Sequence, residues 1–272
     1  MSVPIATDPN ARQSFQELLA PAAPHDDLSF DELSRRYNFR QTSDWVKLFV
    51  RLLIKECRLI GRPLTALDIG CGYGIGRSID LLRAAKAEID ELWGLEPDPA
   101  VKHDTTLFAH FQNATMEEAK LPENHFDLAF SFMVMEHVAD PERYLRAVNR
   151  CLKPGGTHFF ITVNGHHYFT RLALLMKRLK LDEIVLRILR GKHVDEYHYP
   201  VQYRCNKPRV IEQLAEQTGF EKPQFVFVEE DGPKPYMPGP LRPIWALLMW
   251  KRKVMRNPRS LLTVVVRMKK KG

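Results

Sequence analysis

The chain has 272 residues, of which 44% are hydrophobic and 27% charged, and its formal net charge is +7. That length and apolar content suit one α/β domain with additions and exclude a disordered or fibrous chain. The basic balance is compatible with nucleic acid, an anionic membrane or acidic small molecules, and by itself selects none of them.

Residues 1–30 are rich in Pro, Ala and Asp, with a short helical stretch at 14–20, and read as a partly ordered arm. They lack the basic-then-apolar pattern of a secretory signal. No apolar run in the chain reaches the roughly 20 residues of a spanning helix, so a cytoplasmic location is expected. The four cysteines, Cys57, Cys71, Cys151 and Cys205, form no Cys-x-x-Cys pair and read as reduced thiols. Over 31–59 a helical pattern sets Trp45, Leu48, Phe49, Leu52, Leu53 and Cys57 on one face, which is expected to pack on a sheet. Residues 1–60 are therefore assigned to an N-terminal arm and capping helix, and 61–272 to the main domain.

At 67–76 the run Leu-Asp-Ile-Gly-Cys-Gly-Tyr-Gly-Ile-Gly reads as a strand and a tight turn, followed by a helix over 77–87. Glycines there permit positive φ and let a ligand lie against the main chain. The dinucleotide fingerprint needs a glycine at its sixth place, but that place is Ile75 counted from Gly70 and Arg77 counted from Gly72. A phosphate loop is disfavoured too, because no Gly-Lys-Ser/Thr ends the turn. A bare glycine turn is the remaining alternative, and the downstream elements decide against it. A second strand at 91–95 ends in Glu96, about 20 residues past the last glycine, where βαβ units place an acid on ribose hydroxyls. A third strand at 111–114, a fourth at 126–131 and a helix over 141–152 follow. Leu152-Lys153-Pro154-Gly155-Gly156 then turns into a fifth strand at 157–163. This alternation implies a parallel sheet with right-handed crossovers.

The acid and glycines Asp68, Gly70, Gly72 and Gly74, with Glu96, the Met135-Glu136-His137-Val138 run and the Lys153-Pro154-Gly155-Gly156 turn, occur in a distinctive order over about 64–163. In that order and spacing they resemble class I S-adenosylmethionine-dependent methyltransferases, specifically the small-molecule branch that includes quinone and natural-product enzymes. The resemblance implies an α/β, Rossmann-like sheet, mostly parallel with an antiparallel last strand and helices on both faces. It implies S-adenosyl-L-methionine as cofactor, held by Asp68, Gly70, Cys71, Gly72, Gly74, Glu96, Pro97, Asn113, Ala114 and Ser131. Asn113 stands where the family usually carries an acid facing the adenine, and a neutral acceptor is the weaker one. By the same resemblance Tyr37 or Arg40 would reach the site from the preceding segment. Their plain readings are a packing residue and a solvated charge.

Residues 164–203 form an insertion after the fifth strand. Its run over 168–190 interleaves Leu172, Leu175, Leu179, Leu186 and Leu189 with Arg171, Lys177, Arg178, Lys180, Arg187 and Arg190. This reads as a basic amphipathic helix. Lying beyond a strand's carboxyl end, it is expected to be a substrate lid, with membrane contact as the alternative. A helix over 207–218, a strand at 225–229 and a final strand at 261–268 complete the sheet. Within a second insertion, 230–260, the apolar run from Ile244 to Trp250 leads into Lys251-Arg252-Lys253. That stretch (244–253) fits a segment lying among lipid headgroups, a cover for the pocket, or a dimer contact.

Methyl transfer from a sulfonium is an in-line displacement in which positioning does much of the work, and a base helps when the acceptor is a hydroxyl. His137 is the first candidate base, with Glu136 as its orienting partner or as a metal ligand; the plain alternative is a histidine bonded to backbone at a helix start. His166, His167, His193, Tyr197 and His198 are its rivals. Tyr197, His198, Tyr203 and Arg204 are candidate substrate contacts, Arg204 for a carboxylate or phosphate or else a surface ion pair. No metal is expected, because His193, Asp195, Glu196 and His198 lack a recognised ligand spacing. The leading function is transfer of a methyl group to a small-molecule acceptor, at an oxygen on an apolar or lipid-like substrate. A nucleic-acid methyltransferase is the alternative, without an Asn-Pro-Pro-Tyr-type motif to support it, and a non-catalytic cofactor-binding regulator is the third.

Overall fold

The computed structural model describes residues 14–15, 17–21, 27–36, 38–39, 44–101, 104, 106–168, 170–171, 200–229 and 242–272. Ser29 opens α1 (Phe30–Ser34) with a capping box, in which its hydroxyl accepts the Glu32 amide and the Glu32 carboxylate accepts the Ser29 amide. A two-residue strand, β1 (Asn38–Phe39), follows. Asp44 then caps α2 (Trp45–Ile60), accepting the Val46 and Lys47 amides at 3.0 Å each. The pattern read as one helix over 31–59 is thus two helices and a strand, because Asp44 takes the Val46 and Lys47 amides that a continuous helix would have paired internally.

The remaining elements alternate as their spacing predicts: β2 (Thr65–Ile69), α3 (Ile79–Lys86), β3 (Glu91–Leu95), β4 (His110–Gln112), β5 (Phe126–Phe132), α4 (Pro141–Cys151), β6 (Leu152–Val163), α5 (Pro208–Gln217), β7 (Gln224–Glu229), α6 (Arg242–Met255) and β8 (Thr263–Lys269). Among the described residues they form one eight-stranded sheet in the order β1-β7-β8-β6-β5-β2-β3-β4. Every neighbouring pair is parallel except those made by β8, which runs antiparallel to both β6 and β7. This is the Rossmann-like sheet with an antiparallel last strand that the resemblance implies.

Successive side chains of a strand face opposite sides, and the two cores follow from that alternation. Ala66, Leu128, Phe130 and Phe159 pack on one side with Leu48, Phe49, Leu52 and Leu53 of α2 and with Leu81 and Leu82 of α3. Leu67, Ile69, Ala129 and Phe160 pack on the other with Tyr144, Leu145 and Val148 of α4 and with Ile211 of α5. Arg267 of β8 reaches into the first layer, where it pairs with Glu56 at 3.0 Å and with Asp31, tying α1 and α2 to the sheet.

Two boundaries differ from the sequence reading. β6 begins at Leu152 rather than Thr157: Phe126 pairs with Leu152 but Leu128 pairs with Thr157, so 153–156 bows out of one continuous strand. β4 ends at Gln112, leaving Asn113 and Ala114 in the loop beyond it. The four cysteines are free and buried, and burial pushes the thiols of Cys57, Cys151 and Cys205 up to about 12. Among the described residues no helix is long and apolar enough to cross a membrane.

Candidate active site

A cavity of about 440 Å³ opens at the carboxyl ends of β2, β3 and β5, within the size range of small-molecule sites. Its wall is the loop after β2, Glu96 and Pro97 after β3, residues 114–117 after β4, and residues around 132–139 after β5. The loop after β2 is held by its backbone: the Gly70 and Cys71 amides both donate to the Leu95 carbonyl, at 2.8 and 2.9 Å. Gly70 and Gly74 have φ of 69° and 94°. A Cβ on Gly70 would stand 2.6 Å from Val134 Cγ2, and one on Gly74 2.6 Å from the Ser78 carbonyl oxygen. Positive φ and close approach therefore demand glycine at both positions. Two non-glycine residues on the same wall, Arg77 and Met133, are also left-handed, at 65° and 57°. Such strain concentrates at functional sites.

Glu96 joins the loop to β3. It is buried, and its Oε2 accepts the Gly72 amide at 2.9 Å while Oε1 accepts the Asp98 amide at 3.1 Å. A carboxylate's acceptor capacity exceeds these two bonds, so Glu96 can also take ligand hydroxyls. Asp68 is buried on the wall with its Oδ2 lacking a hydrogen-bond partner among the described residues, and burial, then the neighbouring Glu96 charge, pushes its carboxyl well above the usual range. A buried acid in that state favours a ligand that brings positive charge or N–H donors. S-adenosylmethionine offers an ammonium, a sulfonium and two ribose hydroxyls, so the residues present fit it.

Of the residues expected at the cofactor, Asp68, Gly70, Cys71, Gly72, Gly74, Glu96, Pro97 and Ala114 share this wall, and so does His137. Ser131 does not: it is fully buried off the cavity, while Phe132, at the carboxyl end of β5, lines it. Asn113 also departs, because its amide group turns back to donate to the Glu96 carbonyl oxygen at 3.2 Å. Thr115, Met116 and Glu117 occupy the wall instead, and Tyr144 reaches it from α4. The sequence carries a signal only for the first three, which directly follow the expected pair.

His137 sits in a turn before α4, not at its start; its amide donates to the Val134 carbonyl at 2.9 Å, and α4 begins at Pro141 with Asp140 as cap. Glu136 is not on the wall. Its carboxylate is buried, accepts the Thr162 hydroxyl at 2.8 Å, and Thr162 in turn accepts Asn206 Nδ2 at 2.7 Å. Its carbonyl accepts the Gln202 and Tyr203 amides at 2.7 and 3.0 Å. Burial raises the Glu136 carboxyl to about 7. Among the described residues no group of three or more His, Cys, Asp or Glu side chains could hold a metal ion. Tyr203 is partly buried and Arg204 exposed, and neither reaches the wall. His167 is spoken for by Glu229 at 3.4 Å and by Arg252. Tyr37, Arg40, His193, Asp195, Glu196, Tyr197 and His198, and most of the helical run at 168–190, lie outside the described residues.

Residues 34–224 match a family described as a methyltransferase domain. Similar curated proteins include a ubiquinone biosynthesis O-methyltransferase of Ruegeria pomeroyi, 34% identical over 133 residues, covering 48% of this chain and 52% of the relative. That alignment spans about half of the relative's length. One of the same name from Pseudomonas syringae pv. tomato is 30% identical over 173 residues, covering 60% of this chain and 72% of the relative. Among solved structures, a chain from the complex of the Haloferax volcanii Trm112 methyltransferase activator with a methyltransferase gives a TM-score of 0.53 at 16% identity, covering 96% of this chain and 98% of that one. YcgJ of Bacillus subtilis gives 0.51 at 15% identity, covering 82% and 98%. At those identities the likeness shows the fold alone.

Proposed function

The chain belongs to the S-adenosylmethionine-dependent methyltransferases, in their small-molecule branch, and from that premise we propose that it methylates a hydroxyl oxygen on an apolar or lipid-like acceptor. The observation that carries this reading is His137, on the cavity wall with Phe132, Val134 and Val138. It sets a proton acceptor among apolar side chains on the same cavity wall as the glycine loop, Asp68 and Glu96.

Bound there, S-adenosylmethionine supplies an electrophilic methyl group on a positively charged sulfur. Asp68 and Glu96 hold the cofactor, Asp68 toward positive charge and Glu96 toward the ribose. The glycine loop brings main chain against the ligand, where a side chain at Gly70 would strike Val134. His137 removes the acceptor's hydroxyl proton, worth roughly 100-fold or more in rate. Glu136 supports the turn that carries His137 by binding Thr162 and the backbone of Gln202 and Tyr203. Residues 1–60 serve as arm and cap, the insertions at 164–203 and 230–260 cover the acceptor, and the stretches 168–190 and 244–253 within them touch a membrane surface from the cytoplasmic side. The ubiquinone-biosynthesis names of the similar curated proteins support an acceptor of this kind.

The test is transfer of labelled methyl from S-adenosylmethionine to phenols bearing alkyl tails, followed by solvent partition, with the Gly72→Arg protein as control. Label in the organic phase with the unmodified protein alone supports the reading. Label confined to water-soluble acceptors overturns the apolar acceptor.

A further inference from the structure

α6 (Arg242–Met255) turns an apolar stripe to solvent. Ile244, Leu247, Trp250, Val254 and Met255 are 54–64% exposed. Spaced three, three, four and one residues apart, they share one arc of roughly 140° on the helix. Met249 and Arg252 occupy the opposite face and are buried. Arg252 pairs with Glu229 at the end of β7 and contacts His167, which follows β6. Its guanidinium also lies 4.9 Å from the centre of the Tyr168 ring. These contacts dock α6 by its inner face and leave the stripe pointing outward. Because β7 and β6 run parallel to β2 and β5, Glu229 and His167 lie at the same edge of the sheet as the cavity.

The chemistry around the stripe is one-sided. Lys251 is exposed within its arc, Lys253, Arg256 and Arg259 are exposed on the same segment, and no Asp or Glu occurs anywhere from Arg242 to Gly272. Two copies packed stripe to stripe would bring these cations together with no acid in either segment to offset them. A bilayer with anionic headgroups satisfies both features, taking the apolar side chains into the acyl boundary and the cations onto phosphates. Trp250 beside Lys251 is the pairing found at such interfaces. The helix, roughly 21 Å long, is too short to span and suited to lie flat.

We infer that α6 is the docking element for an anionic lipid surface, with Arg252 as the anchor that fixes its outward face, so that the cavity edge meets the bilayer. The inference rests on the apolar-acceptor reading for its purpose, but its measurement needs no acceptor. The full chain is sedimented with vesicles of phosphatidylcholine alone or with added phosphatidylglycerol. The unmodified protein is expected to bind the anionic vesicles at least about tenfold more tightly than the neutral ones. Leu247→Glu with Trp250→Glu, and separately Lys251→Glu with Lys253→Glu, should each weaken that binding roughly tenfold or more, with Tm and S-adenosylmethionine affinity unchanged. Variants that bind as the unmodified protein does, or equal binding to neutral vesicles, overturn the inference. A dimer in solution that Leu247→Glu converts to monomer overturns it in favour of a second copy. Vesicle binding without methyl transfer to any apolar acceptor would sink the proposed substrate and leave the docking surface standing.

Discussion

His158 on β6 is fully buried, and neither ring nitrogen has a hydrogen-bond partner among the described residues. Its ring packs 4.8 Å from Phe160 and 5.9 Å from Tyr144, centre to centre. Burial alone lowers its pKa from 6.5 to about 3. Because the folded value is depressed, the unfolded chain takes up a proton first, and stability falls as the pH drops below 6.5 by up to about 1.4 kcal/mol per unit. At about pH 5 the accumulated loss is roughly 2 kcal/mol. His158→Leu keeps similar volume, removes that loss, and removes the cost of two unpaired nitrogens, a gain of about 1–3 kcal/mol. Glu136 works in the opposite direction: its raised carboxyl stabilises the fold at low pH and loses that contribution as the pH rises through about 7. That effect is common to both proteins and cancels in their difference. Urea unfolding at about pH 7.5 and pH 5 is the assay, and the stability gap between variant and unmodified protein should widen by roughly 2 kcal/mol at the lower pH. An equal gap at the two values would refute the reasoning that His158 is held neutral by burial.

Arg267→Met leaves Glu56 buried without the guanidinium now 3.0 Å away. Thermal or urea unfolding should show a loss of about 3–5 kcal/mol, and a loss under about 1 kcal/mol would mean the carboxylate finds another partner. His137→Ala should lower kcat roughly 100-fold or more while the S-adenosylmethionine Kd stays within about twofold. Equal turnover would return His137 to a merely structural role.

Much of the fold is local in the sequence. The glycine loop, the acid after β3 and the Lys153-Pro154-Gly155-Gly156 turn are short-range signals, and their order specifies the parallel sheet. The cavity wall was legible where backbone geometry decides it, as at Gly70, Gly74 and Glu96. It was not legible where one residue of register decides it. Ser131 and Phe132 are neighbours on β5, and the cavity begins at Phe132, one residue beyond the expected contact. Asn113 looked like an adenine contact because its position matched, yet its side chain satisfies the Glu96 carbonyl. Tyr144 reaches the wall from a helix, and only the packing of α4 on β5 brings it there. Glu136 beside His137 read as a partner in catalysis because adjacent residues look adjacent in function. In the turn they diverge, one to the cavity and the other to Thr162.

The most direct measurement is calorimetric titration of S-adenosylmethionine into the unmodified chain and into Gly72→Arg, with the Tm of both recorded. Gly72 has φ of 46° and lines the cavity, its amide bound to Glu96. The account predicts one-to-one binding that weakens by at least about 100-fold in the variant, since a long side chain at the loop fills the ligand's space. Equal affinities in two folded proteins would show that the cofactor binds elsewhere.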